Sequence, residues 1–186
     1  MSNNNGKSLQ GSEVVAHRFD DDGSIPNNPT LPLLIYPGVL DLSGSDPAGT
    51  CIEQFAAHGW RGAWRNGIYP FPHYHSTAHE ALGICCGKAT VRLGGENGLT
   101  FEVKAGDALV LPAGTGHQNL GSGPDLLVVG AYPSGMDWDL CRGEPGERPE
   151  VLDNLRRVPL PASDPIYGEG GPLLRFWQAA DGNEFG

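Results

Sequence analysis

Basic side chains are scarce in this sequence: 12 lysines and arginines stand against 22 aspartates and glutamates, for a net charge of −10. No stretch gathers enough of them to form a basic patch, which excludes nucleic acid and anionic membrane as expected partners. Long apolar runs are missing too. Nothing approaches the ~18 consecutive apolar residues of a membrane span. The opening MSNNNGKSLQGSE is polar, without the apolar core of a signal peptide. The expectation is a cytoplasmic chain whose residues 1–12 form a flexible tail. Cysteine is sparse and poorly spaced for a metal: Cys51, Cys85, Cys86 and Cys141 contain no C-x-x-C, and adjacent Cys85 and Cys86 point to opposite faces of a strand. They read as free thiols, mostly buried as small apolar residues. G-x-S-x-G, the P-loop and the dinucleotide fingerprint are also lacking, so no second catalytic motif supplies an acid or base, and any such group must come from the binding pocket itself.

What the sequence has in plenty is punctuation. Its 28 glycines and 16 prolines favour short elements joined by turns over a helical bundle. EVVAHRF (13–19) and LPLLIY (31–36) read as extended segments, with Pro32 arguing for an edge position. DPAGTCIEQFAAHGW reads as a helix capped by Asp46, with Pro47 in its first turn and Gly59 at its end. Strand candidates then follow at 61–69, 72–76, 79–86, 88–93, 99–103, 107–112, 117–121 and 125–132, with a hairpin connection in LGGENGLT. Such regular short strands predict an antiparallel sandwich or barrel. A second short helix is expected at about 148–157, and the closing DPIYGEGGPLLRFW reads as extended. One domain, residues 13–186, accommodates all of this.

Half of the six histidines stand close together in PHYHSTAHE, residues 72–80. Either they converge on a metal ion or they decorate a polar turn. His73 and His75 are two apart, so a strand would put both imidazoles on one face. Glu80 opens the next strand, where hairpin pairing could return it to that face, and His117 lies on another strand candidate. These four could offer three nitrogens and one oxygen to one ion, a mixed set suited to a divalent transition metal with open positions. An H-x-H alone is equally an ordinary polar strand edge.

The spacing around these residues is more specific. GIYPFPHYHSTAHEALGICCG fits G-x5-H-x-H-x4-E-x6-G, and GDALVLPAGTGH fits G-x5-P-x-G-x2-H. With these two motifs, spanning 67–121 with their flanks, the chain resembles the cupins. IPNNPTLPLLIY, PHYHSTAHE and YGEGGPLLRFW further resemble the YjlB-like members of that family. One departure stands out: the Asn that usually follows the second-motif histidine by four residues is Gly121 here, with Asn119 two residues early. The resemblance implies an all-β cupin jelly-roll barrel, a double-stranded β-helix with short flanking helices. It implies His73, His75, Glu80 and His117 as ligands of one divalent transition metal: Fe, Mn, Ni, Co or Zn. It also implies a homodimer joined through terminal strands, GPLLRFWQ among them.

Neighbouring residues have weaker claims. Tyr69, Tyr74 and His79 are candidate proton-transfer groups by closeness to the ligands alone, and all three read equally well as structural. His79 neighbours Glu80, so a strand would turn it away from the pocket, to the surface or to a supporting position. Arg65, Phe71 and Trp138 are candidate contacts to a small-molecule substrate, against salt-bridging, core and covering roles respectively. Trp64 reads as core. The expected function is a metal-dependent enzyme on a small organic acid or sugar-like substrate, by Lewis-acid or O2 chemistry of the dioxygenase, isomerase or lyase type. The alternative is a non-catalytic cupin that binds a small ligand or a metal. A purely structural barrel is a third reading.

Overall fold

The computed structural model of the protein describes residues 7–8 and 13–181. Ten strands form two sheets: β1 (Lys7–Ser8), β2 (Val15–His17), β3 (Leu33–Tyr36), β4 (Trp60–Asn66), β5 (Glu80–Cys86), β6 (Lys88–Leu93), β7 (Leu99–Lys104), β8 (Ala108–Leu111), β9 (His117–Ser122) and β10 (Leu127–Pro133). The smaller sheet has the order β1-β7-β6-β9 and the larger β2-β3-β8-β5-β10-β4. Every pairing is antiparallel except that of β1 with β7. The architecture is the cupin-type double-stranded β-helix. The flexible tail expected over 1–12 lies outside the described residues, apart from the Lys7–Ser8 strand.

The central strands of the larger sheet are buried on both faces, and the side-chain period of two divides their residues cleanly. Leu33, Ile35, Leu82, Ile84, Leu109 and Val128 pack between the sheets with Val91, Phe101 and Val103 of the smaller one. Leu34, Tyr36, Ala81, Cys85, Val110 and Val129 face outward onto a helical layer. Helix α1 (Pro47–Ala57) supplies Ala48, Cys51 and Phe55 to that layer, and helix α3 (Pro172–Asp181) supplies Leu173 and Trp177. Burial on both faces is why LLIY and EALGIC are apolar without alternation. The first helix has its Asp46 cap on the Gly49 N–H, and it ends at Gly59, whose φ of +80° only glycine adopts readily. Helix α2 (Glu150–Leu155) falls within the expected span. Cys51, Cys85 and Cys141 are buried free thiols, while Cys86 is exposed.

Three expectations are corrected. Strand β3 lies between β2 and β8 and is not an edge; Pro32 precedes it and offers its carbonyl to Trp177 Nε1–H at 2.9 Å. The C-terminal GPLLRFWQ is helix, not strand, so it cannot pair in a dimer as a terminal strand. Pro172 suits a first helical turn, Asp164 Oδ2 accepts the Leu173 N–H at 3.0 Å, and Leu173 and Trp177, four apart, share the buried face. Finally, 72–76 is no regular strand. It makes two isolated bridges, His73 with His117 and Tyr74 with Cys141. Residues 94–98 form the expected β6–β7 connection. The Asn119-to-Gly121 departure falls on a β-bulge: opposite Thr90 and Val91 the register of β9 skips Leu120.

Candidate metal centre

His73 and His117 are fixed opposite one another by the backbone. The His73 N–H donates to the His117 carbonyl at 3.1 Å and the His117 N–H returns the bond at 2.9 Å. Such a directly opposed pair shares a face, and the two imidazole centroids lie 3.9 Å apart. The His75 carbonyl accepts the Gly114 N–H at 2.8 Å, where Gly114 stands at φ +92° with Asn27 and Leu155 too close to admit a Cβ. The turn after His75 is held by Asp139, whose carboxylate accepts the Ser76 and Thr77 N–H groups and both hydroxyls. Burial opposes ionisation of Asp139, but these donors keep its carboxyl below the usual range. Glu80 enters from the first position of β5, on the same inward face as Leu82.

The three imidazoles have one tautomer in common. Each Nδ1 faces a backbone carbonyl: His73 that of Phe71 at 3.1 Å, His117 that of Thr115 at 3.0 Å, and His75 that of Asp139. A carbonyl only accepts, so each Nδ1 carries a proton and Nε2 is the ring nitrogen left to face a cation. All three rings are buried, and one nitrogen from each falls within 4.8 Å of the others. Glu80 Oε2 lies 3.4 Å from His75 Nε2 and 3.3 Å from His117 Nε2. Its other oxygen, Oε1, accepts the Tyr132 hydroxyl at 2.9 Å, and that hydroxyl accepts Trp64 Nε1–H at 2.8 Å. Oε2 itself is buried with no hydrogen-bond donor. A buried carboxylate oxygen without a donor is costly. Set beside the Nε2 atoms of His75 and His117, it is what a cation would satisfy, so the residues fit a divalent metal.

The electrostatics separate the histidines. Burial, then the neighbouring His117, push His73 down to about 3, so it is neutral at physiological pH. Burial opposes a charge on His75, but the Glu80 carboxylate outweighs it and raises that group. Burial alone would raise Glu80; the flanking His75 and His117 instead hold it well below the usual carboxylate range.

The four residues border a cavity of about 230 Å³. Trp64, Ile68, Tyr69, Leu82, Tyr132 and Trp138 supply most of the rest of its wall. Trp64 is therefore a wall residue as much as a core one. Its indole lies across Gly130 of β10, where a Cβ would come within 2.2 Å of the ring; glycine there lets the indole reach Tyr132. Of the other candidates, Tyr69 and Trp138 line the cavity and are half-exposed at its mouth. Tyr74 does not line it: it is buried, with its hydroxyl donating to Glu147 Oε2 at 2.7 Å. His79 is turned away as parity demands, but inward to the helical layer and not to the surface, with its ring 4.7 Å from that of Trp177. It accepts the Ala113 N–H on Nδ1 at 2.9 Å, the opposite tautomer to the triad. Arg65 is forked by Asp46 at 2.9 and 2.8 Å, outside the cavity wall. Phe71 stands behind Tyr69. Sequence reasoning missed Tyr132 and Asp139. Alternation along LVVGAYP puts Tyr132 inward with Val128, but nothing local marks Glu80 as its partner; Asp139 acts across a separation of 63 residues.

A double-stranded β-helix that turns three histidines and a glutamate inward, into one cavity, is a cupin. The cupin family model matches residues 61–134. The uncharacterized protein YjlB of Bacillus subtilis (strain 168) is 41% identical over 165 residues, which cover 89% of this chain and 97% of that one. The chain thus belongs to the YjlB-like cupins. Among solved structures it is similar to acireductone dioxygenase from Bacillus anthracis with cadmium ion in active center, at 14% identity and a TM-score of 0.37, covering 64% of this chain and 77% of that one. It is also similar to the 11S allergen of Cocos nucifera, at 23% identity and a TM-score of 0.36 over 52% of this chain; the match spans 29% of that protein's length. Among the described residues no helix is long and apolar enough to cross a membrane.

Proposed function

We propose that this cupin is a metal-dependent enzyme that acts on a small organic molecule by Lewis-acid or O2 chemistry, of the dioxygenase, isomerase or lyase type. One observation carries the reading. Three buried imidazoles, each with Nδ1 on a backbone carbonyl, bring one nitrogen apiece within 4.8 Å of one another, and the donor-free oxygen of Glu80 lies 3.4 and 3.3 Å from Nε2 of His75 and His117, beside an open cavity. His73, His75, His117 and Glu80 would hold one divalent transition metal, Fe, Mn, Ni, Co or Zn. Bound there, such an ion supplies a Lewis acid for a substrate oxygen and, if redox-active, a partner for O2.

The remaining work falls to side chains. Tyr132 fixes the Glu80 carboxylate through Oε1 and keeps its second oxygen free. The aromatic and aliphatic wall orients a bound molecule against the histidines. Tyr69 is the candidate proton-transfer group that remains. Its ring meets His73 edge-on at 5.1 Å, and it lines the cavity. Tyr74 and His79 are spent elsewhere. A non-catalytic binding role is favoured by one feature: the Tyr132 hydroxyl is already engaged on both sides, which leaves the cavity short of free acids and bases.

The test is metal content by elemental mass spectrometry on untagged protein beside His75→Ala. About one iron or manganese per chain, lost in the variant, supports the site and directs oxygen-uptake and isomerase assays. Zinc without turnover across a substrate panel favours binding. No metal in either protein after reconstitution overturns the reading.

A further inference from the structure

Two stacked aromatic pairs flank the imidazoles. Tyr69 lies on Phe71, centroids 4.8 Å apart at 15°, and meets His73 edge-on. Trp138 lies on Tyr132, centroids 5.7 Å apart at 22°, and meets His75 at 4.9 Å. Tyr69 and Trp138 are 44% and 42% exposed, so they form the mouth and can adjust to what enters. Among the described residues no lysine or arginine lines this cavity; apart from the metal-binding set, its polar groups are phenol, indole and the amide of Asn66. The nearby cations are engaged elsewhere. Arg65 is held by both oxygens of Asp46, and the Arg142 guanidinium sits 4.1 Å over the Phe71 ring.

Charge balance then restricts the ligand. A divalent ion with three neutral imidazoles and one carboxylate keeps a single positive charge, which one ionised donor oxygen cancels. Any further carboxylate or phosphate would be buried among ring faces that carry partial negative charge, with no cation to meet it. The chain's net charge of −10 adds repulsion at a distance. Flat aromatic walls on two sides favour a flat ring over a branched chain. On the reading that this site holds a divalent metal, we propose that its ligand is a compact, flat, oxygen-bearing ring compound that is uncharged in solution. An organic acid is disfavoured where it carries a charge beyond the one oxygen that meets the metal.

The test uses the full chain loaded with zinc, which has no redox chemistry of its own. Zinc content is measured first, beside His75→Ala. Equilibrium dialysis then compares 3-hydroxypyran-4-one with its carboxylated analogue, 5-hydroxy-4-oxopyran-2-carboxylate, reading both ligand and zinc in each chamber. The expected result is at least tenfold tighter binding of the uncharged ring, and a loss of that binding by at least fivefold in Trp138→Ala with zinc content unchanged. Equal or tighter binding of the carboxylate, or no binding of either ring by zinc-loaded protein, overturns the inference and leaves the metal site standing. Wild-type protein that retains no more zinc than His75→Ala overturns the metal site, and the inference with it.

Discussion

Replacing Tyr132 by phenylalanine deletes one oxygen and leaves the ring free to keep its stack on Trp138. That oxygen has two partners. It donates to Glu80 Oε1 at 2.9 Å and accepts Trp64 Nε1–H at 2.8 Å. A hydrogen bond to a charged group contributes about 1.5–3 kcal/mol, and one between neutral groups about 0.5–1.5 kcal/mol. Trp64 borders the cavity, where water can replace its lost partner, so its share belongs at the low end. Glu80 is 2% exposed and already has one donor-free oxygen, so its share belongs at the high end. The metal-free protein should lose about 2–4 kcal/mol. At roughly 2–4 °C per kcal/mol for a domain of this size, the midpoint should fall by roughly 10 °C. Zinc affinity should fall about 10–100-fold, the usual effect of losing a group that orients a ligand. Calorimetry on metal-free protein and zinc titration against a competing chelator give the two readouts. A midpoint within about 2 °C of wild type, with zinc affinity unchanged, would refute the reasoning: Glu80 would then need no support from Tyr132.

Three further outcomes are expected. Glu80→Gln keeps an oxygen for Tyr132 and puts an amide NH2 where Oε2 faces the Nε2 atoms of His75 and His117 at 3.4 and 3.3 Å, so bound metal should be lost while the metal-free protein stays folded; metal retained at the wild-type stoichiometry and affinity would refute the carboxylate as a ligand. Trp177→Ala removes a ring that is 1% exposed, with its Nε1–H on the Pro32 carbonyl, and should cost about 3–5 kcal/mol in urea unfolding without changing metal stoichiometry in the folded protein. His79, pushed by burial from 6.5 down to about 3, refuses in the folded state a proton that the unfolded chain accepts. Stability should therefore fall as the pH drops below 6.5, by about 1.4 kcal/mol per pH unit from this group, and His79→Gln should lack that part of the slope in urea unfolding between pH 6 and 4; parallel slopes would refute it.

The parts of this protein that sequence revealed are those fixed by short-range parity and turn chemistry. His73 and His75 lie two apart, and Glu80 and His79 lie one apart on a strand start; alternation alone assigns inward and outward sides to them. The β6–β7 connection and the capped first helix are likewise local. What was hidden depends on neighbours distant in sequence. Strand β3 reads as an edge beside Pro32 because nothing within LPLLIY announces that β2 and β8 will flank it. The segment PLLRFW reads as extended because its four-residue spacing, Leu173 to Trp177, is short and follows a run of glycines. Its helical state is decided by the outer face of the larger sheet and by Asp164 at its start.

The same distinction runs through the candidate metal centre. Spacing can put imidazoles on one face, but it does not say which ring nitrogen keeps its proton. That is decided by the carbonyls of Phe71, Thr115 and Asp139, two of them only two residues from the ring they hold and the third 64 residues away. His79 shows that the choice matters. It sits in the same nine-residue cluster, yet its Nδ1 accepts a backbone N–H and its proton is left on Nε2. Two histidines four residues apart in sequence are thus prepared for opposite tasks, His75 to give a lone pair and His79 to fill the space beside Trp177. Of the histidines in PHYHSTAHE, only His73 and His75 have Nδ1 held by a backbone carbonyl, as His117 does, and these three are the ones placed to hold a metal.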